Sequence, residues 1–134
     1  MVRDILVVYK KNFEAVHDRA LESVKKTLDN LVKGDQISVG YTARETVGRS
    51  DFIDPDLVIV LGGDGTLTSI AHSVDDSTPV MGVNSHPRDK DDEGSFGFYM
   101  GSDPDNFQND IKMALNGEAL VNILPRLQAE IETT

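Results

Sequence analysis

Five consecutive apolar residues, Leu57 to Leu61, stand between Pro55-Asp56 and Gly62-Gly63. A run this short with no polar alternation suits a strand covered on both faces, the situation of an interior strand in a parallel sheet. Val2 to Tyr9 and Pro79 to Val83 read the same way. Between the first two runs, Phe13, Val16, Ala20, Val24, Leu28 and Leu31 recur at spacings of three and four, which lays one apolar stripe along a helix, with Gly34 as its expected stop. Ile37, Val39 and Tyr41 alternate with polar residues, as in a half-buried strand near a sheet edge, and Thr42 to Ser50 reads as connection. Asp103-Pro104-Asp105 opens a second amphipathic helix carrying Phe107, Ile111, Ala114 and Leu115, and Gly117 is placed to end it. Strand and helix alternate, which predicts an α/β domain with a doubly wound, mostly parallel sheet.

Bulk composition narrows what such a domain can do. With 134 residues, 39% hydrophobic and 27% charged, the chain can bury a core without crosslinks. A formal charge of −10 disfavours nucleic acid as a partner, because clustered cations must neutralise its phosphates. The same charge requires that any nucleotide be held by backbone amides, a few local cations and a divalent metal, so magnesium is expected. Cysteine is absent, which removes disulfide and thiolate chemistry and favours the cytoplasm. The longest apolar runs are far short of a membrane span or a signal-peptide core, so neither membrane nor export is expected.

The residues most apt for chemistry follow the Leu57 run. Gly62-Gly63-Asp64-Gly65-Thr66 lies between a buried strand and a helix, where open α/β sheets present their ligands. Glycines let backbone N–H groups approach phosphate oxygens, and the following helix adds the positive end of its dipole. The result is an anion cradle carrying one carboxylate, Asp64. A bare Asp-Gly turn would use some of the same residues, but the strand before it and Thr66 after it argue for more. No Lys follows the glycines, so the segment is not a P-loop, and no third glycine falls where a dinucleotide fingerprint needs one.

Leu-Gly-Gly-Asp-Gly-Thr-Leu-Thr at 61–68, followed by Pro-Val-Met-Gly-Val-Asn at 79–84, closely resembles the NAD kinase family. A Gly-Gly-Asp-Gly loop also occurs in phosphofructokinases and in diacylglycerol and sphingosine kinases; the second segment at this distance is what resembles NAD kinases. The resemblance implies a phosphofructokinase-like N-terminal domain and transfer of a phosphoryl group from ATP or polyphosphate to the 2′-hydroxyl of NAD, giving NADP. It implies that Asp64 acts on that hydroxyl as general base or helps organise Mg2+ through the nucleotide. Gly62, Gly63, Gly65 and Thr66 would approach phosphates, Leu67 and Thr68 would border the NAD pocket, and Asn84 would join them. After Asn84 the sequence departs from the common pattern, since Ser85 to Gly94 intervene before Ser95-Phe96-Gly97-Phe98. The Asn84-x-x-Pro87 form resembles the mitochondrial-type branch, and Arg88 is a further candidate there.

Family members continue into a mainly β second domain. Here residues 1–120 read as the nucleotide-binding domain and 121–134 as the start of the next, with Leu127, Ala129 and Ile131 alternating as a half-exposed strand. The expectation is a truncated kinase whose isolated chain turns over weakly or not at all; such a lone strand would seek a partner, so a homo-oligomer is expected. A stand-alone nucleotide-binding or regulatory module is the non-enzymatic alternative. A lipid or sphingoid kinase is a third, disfavoured because Ser69-Ile70 stands where an Asn-Glu pair is expected. The acidic run Asp89 to Glu93 lacks the turn glycine of a calcium loop and reads as solvated. His17 and His72 have no metal-spaced partner, His86 could touch substrate or face water, and Ser85 and Ser95 lack a hydrolase motif. Lys10 and Lys11, at the end of the first strand, could offset a phosphate charge.

Overall fold

The computed structural model describes residues 3–9, 15–35, 37–48, 51, 55–62, 66, 70, 78–85 and 102–115. Among these, the elements run β1 (Asp4–Tyr9), α1 (Ala15–Asp35), β2 (Ser38–Ala43), β3 (Leu57–Gly62), β4 (Val80–Asn84) and α2 (Phe107–Leu115). The strands form one sheet in the order β2-β1-β3-β4. Every pairing is parallel: Tyr9 stands opposite Leu61, and Gly62 opposite Asn84.

Two of the apolar runs behave as their composition requires; the third, expected to be covered on both faces, stands at the sheet edge among the described residues as β4, with Val80 exposed and Met81 half-buried. All six residues of β3 are buried, because β3 has a strand on each side and side chains packed on both faces. On one face Ile5, Val7, Leu57, Ile59, Leu61 and Val83 meet Ala20, Val24 and Leu28 of α1 and Phe107 and Ile111 of α2. On the other, Val8, Val58 and Val60 meet Ile70, with Leu6 and Val47 alongside. Full burial of such a side chain contributes about 1.5–3 kcal/mol, so this two-sided core dominates the stability of the sheet.

The order of the strands carries the functional consequence. The chain leaves β1 for β2 on one side, then returns past β1 to place β3 and β4 on the other. Connections of one hand running in opposite directions put α1 on one face and the helical residue Ile70 on the other. The reversal falls between β1 and β3, and the crevice it leaves opens at their carboxyl ends, beyond Tyr9 and Leu61.

The amino-terminal end of the sheet is closed by a carboxylate. Asp56 Oδ2 accepts the Arg3 and Asp4 backbone N–H groups at 3.0 and 3.1 Å, and the Asp56 N–H donates to the Asp4 carbonyl at 2.8 Å. These amides hold the exposed Asp56 carboxyl below the usual range for aspartate.

Several boundaries differ from the sequence reading: β3 takes in Gly62 and β4 runs Val80–Asn84 instead of Pro79 to Val83. Helix α1 runs through Gly34 to Asp35, and β2 extends through Thr42 and Ala43, whose Cα partners are Val8 and Tyr9. Asp103, Pro104 and Asp105 form a turn ahead of α2. Asp103 Oδ1 accepts the Asn106 backbone N–H at 2.9 Å, and the Asn106 carbonyl receives the Asp110 N–H at 3.0 Å, so Asn106 supplies the first helical acceptor. The strand expected at 127–131, the segment 121–134 and Gly117 lie outside the described residues.

Candidate nucleotide site

Among the described residues, four polar side chains are buried: Thr66 at 2% exposure, Asn84 at 6%, Ser85 at 5% and Ser102 at 6%. All four belong to one corner of the molecule, where β3 and β4 end. Burying a hydroxyl or amide is costly unless it is hydrogen-bonded, so a cluster of them at one place in an otherwise apolar core needs a reason.

The corner is built from Gly62 outward. Its Cα partner across the sheet is Asn84, and the next residue, Ser85, donates its N–H to the Gly62 carbonyl at 2.9 Å. Thr66, four residues after Gly62, folds its side chain back against it. A Cβ placed on Gly62 would stand 2.5 Å from Thr66 Oγ1 and 2.9 Å from Thr66 Cβ. The glycine is required for this close approach, and its φ is not in the left-handed region. The Thr66 side chain is thus packed against the end of β3.

On the outer edge of β4, Ser102 adds a one-residue parallel bridge to Val83. Its N–H donates to the Gly82 carbonyl and its carbonyl accepts the Asn84 N–H, both at 2.9 Å. Its hydroxyl donates to Asp110 Oδ2 of α2 at 2.6 Å, a length typical of a hydroxyl on a carboxylate. The end of β4 is therefore held from both sides, by Gly62 within the sheet and by Ser102 outside it.

Of the sequence candidates, the structure brings Gly62, Thr66 and Asn84 together. Gly63, Asp64, Gly65, Leu67 and Thr68 lie outside the described residues, as do Lys10, Lys11, His72, His86, Arg88 and Ser95. Gly63, Asp64 and Gly65 bridge Gly62 to Thr66 along the chain and so leave from, and return to, this corner. Ser85, read only as a serine without a hydrolase motif, and Ser102, not singled out at all, belong to the same corner. Their signal was faint: a serine beyond Asn84, and another after Gly101 just before a helix start. Among the described residues no group of three His, Cys, Asp or Glu could hold a metal ion. Asp110 brings a carboxylate to the corner, where it accepts the Ser102 hydroxyl.

A doubly wound parallel sheet with an interior strand that ends in glycine, and small buried polar residues gathered at that end, defines an α/β domain of the kind that presents its ligands at the carboxyl ends of its strands. The family is resolved by comparison with known proteins. Residues 7–119 match the ATP-NAD kinase N-terminal domain, and the chain belongs to that family. It is 42% identical over 73 residues to an NADH kinase of Arabidopsis thaliana, covering 50% of this chain and 23% of that protein. It is 40% identical over 82 residues to an NAD kinase of Syntrophobacter fumaroxidans, covering 60% of this chain and 26% of the other. Among solved structures, the NAD kinase from Archaeoglobus fulgidus in complex with ATP superposes with a TM-score of 0.59 and 21% identity, over 85% of this chain and 37% of that one. At that identity the likeness speaks for the fold. The chain spans well under half the length of each of these relatives.

Proposed function

We propose that this chain is the nucleotide-handling domain of a kinase that transfers a phosphoryl group from ATP, or from polyphosphate, to the 2′-hydroxyl of NAD or NADH. The observation that carries the reading is the gathering of four buried polar residues, Thr66, Asn84, Ser85 and Ser102, around Gly62, where the Gly63-Asp64-Gly65 loop departs. Membership of the ATP-NAD kinase family and the names of its relatives support the choice of acceptor.

The chemistry asked of this chain is modest. Phosphoryl transfer through a loose transition state depends on alignment and charge stabilisation more than on covalent help. Asp64 would take the proton from the 2′-hydroxyl as its oxygen bonds to the transferred phosphorus and the bond to the leaving phosphate breaks. Backbone N–H groups around Gly62 to Thr66 would neutralise phosphate oxygens that a chain of net charge −10 otherwise repels. Mg2+ would arrive on the nucleotide and offset its charge, needing at most one carboxylate, Asp64, from this chain. The reading includes a cytoplasmic enzyme built from several copies, with size-exclusion chromatography as the check on assembly.

The test is formation of NADP or NADPH from NAD or NADH with ATP or polyphosphate and magnesium, using the protein expressed from its native reading frame and its Asp64→Asn variant. Turnover by the wild type, lost by at least about a thousandfold in Asp64→Asn, supports the reading. A wild type inert toward both acceptors with either donor overturns it, and nucleotide binding without product would then favour a regulatory module.

A further inference from the structure

We propose that Asp110 is a positioning residue for the nucleotide site, acting through Ser102 to fix Asn84; the inference rests on the kinase reading above. Asn84 ends β4 opposite Gly62, and a strand end normally has slack because its outer edge lacks a neighbour. Among the described residues, that edge is met by Ser102. The Ser102 backbone spans Val83, donating to Gly82 and accepting from Asn84, which locks the last two residues of the strand.

The grip of Ser102 on β4 depends on how firmly Ser102 is itself held. The Asp110 carboxylate holds it at 2.6 Å. It stands on α2, whose Phe107 and Ile111 are buried in the same core as Val83 and Leu61. The path is continuous: packed helix, carboxylate, serine hydroxyl, serine carbonyl, Asn84 amide. A carboxylate on the buried side of an amphipathic helix, next to Ile111, is unexpected for packing alone. It is explained if α2 sets the position of Asn84. Displacements of about 1 Å in a ligand-aligning group can cost as much as a hundredfold in rate, so such a tether has leverage.

The experiment compares Ser102→Ala, Asp110→Ala, Asp110→Asn and the Ser102→Ala/Asp110→Ala double variant in the protein expressed from its native reading frame. It reads KM and kcat for NAD and NADH, and hydrogen exchange of the Asn84 amide against those of Val58 to Val60. Each alanine variant is expected to raise the acceptor KM about tenfold with a smaller change in kcat, and the double variant to be no worse than either single one, because the two side chains act as a unit. Asp110→Asn keeps an acceptor oxygen for the serine hydroxyl and is expected to return KM to within about threefold of wild type. The Asn84 amide should exchange faster in the alanine variants while β3 keeps its protection, which separates loosening of the site from loss of the fold. Unchanged KM in an active enzyme, multiplying effects in the double variant, or an Asn84 amide as protected as in wild type each overturns the proposal. A wild type inert toward both acceptors overturns the kinase reading itself, and with it this role.

Discussion

Thr66 Oγ1 lies so close to Gly62 that a Cβ at position 62 would fall 2.5 Å from it, and 2.9 Å from the threonine Cβ. No flexible side-chain end can simply swing aside, because the nearest atoms sit at the root of a β-branched residue that is 2% exposed. Gly62→Ala is therefore expected to destabilise the protein by about 1–3 kcal/mol, as overpacking does. Adding Thr66→Ala should recover part of this loss, since it removes Oγ1 and Cγ2 but leaves a Cβ. Urea denaturation of the two single variants and the double variant checks it; strictly additive losses would show that the two residues do not meet.

Tyr41 offers a test in the opposite direction. Its hydroxyl is buried among the described residues without a hydrogen-bond partner, while Lys25 Nζ stands 5.2 Å from the ring centroid. Tyr41→Phe should leave stability at neutral pH unchanged or raise it by up to about 1 kcal/mol, because an unsatisfied donor is removed and the ring is kept. Burial, and then Asp29 nearby, push the Tyr41 hydroxyl up to about 12. Its neutral form is thus favoured in the fold. The associated stability is fully present below about pH 10, where the unfolded side chain ionises, and is lost as pH rises toward about 12. Absorbance titration of the tyrosines should show one lagging the others, and that lag should vanish in Tyr41→Phe.

The Asp56 carboxylate predicts an acid limb. Two backbone amides lower its pKa, so its stabilising effect is present above the ordinary aspartate range and disappears as pH falls through the lowered value. Melting temperature followed from neutral to acidic pH should drop more steeply for wild type than for Asp56→Ala, with the two curves converging at the acid end. Parallel curves would mean that the amides do not depend on this carboxylate.

Asp103 caps the turn into α2 through Asn106, whose backbone N–H and Nδ2 both donate to Asp103 Oδ1 at 2.9 Å. Asp103→Ala should cost about 1 kcal/mol, the usual worth of such a cap. Because α2 carries Asp110, the same variant should also speed exchange of the Asn84 amide, which hydrogen-exchange measurements resolve directly.

The elements that were legible in the sequence are those whose pattern is set locally. The apolar runs at Asp4–Tyr9 and Leu57–Gly62 could only be strands buried on two faces, and the stripe through Ala20, Val24 and Leu28 could only be a helix laid on a sheet. Gly62 stands out because glycine ends an apolar strand abruptly, and Asn84 through the resemblance of residues 79–84 to NAD kinases. What escaped was non-local. Thr42 and Ala43 are strand because Val8 and Tyr9 pair with them, which overrides their polar neighbourhood. Ser102 bridges Val83 and reaches Asp110 only after the chain has returned from beyond β4, and nothing in its neighbours announces that. Gly34 was read as a stop from its residue type, yet α1 continues to Asp35 and a Cβ at Gly34 would meet open space.

The strand order has a further consequence during synthesis. β1 is made first and sits inside the sheet, yet its second neighbour is β3: Ile5 must wait for Leu57. At about 5–20 residues per second the ribosome takes roughly 3–10 seconds to cross that interval. For that time the nascent chain can pair β1 with β2 and lay α1 over one face, while the other edge of β1 stays open beside Val7 and Val8, both fully buried once folded. An unpaired apolar strand edge invites other chains, so the interval between emergence of β1 and of β3 is when this domain is most exposed to aggregation and most in need of a chaperone.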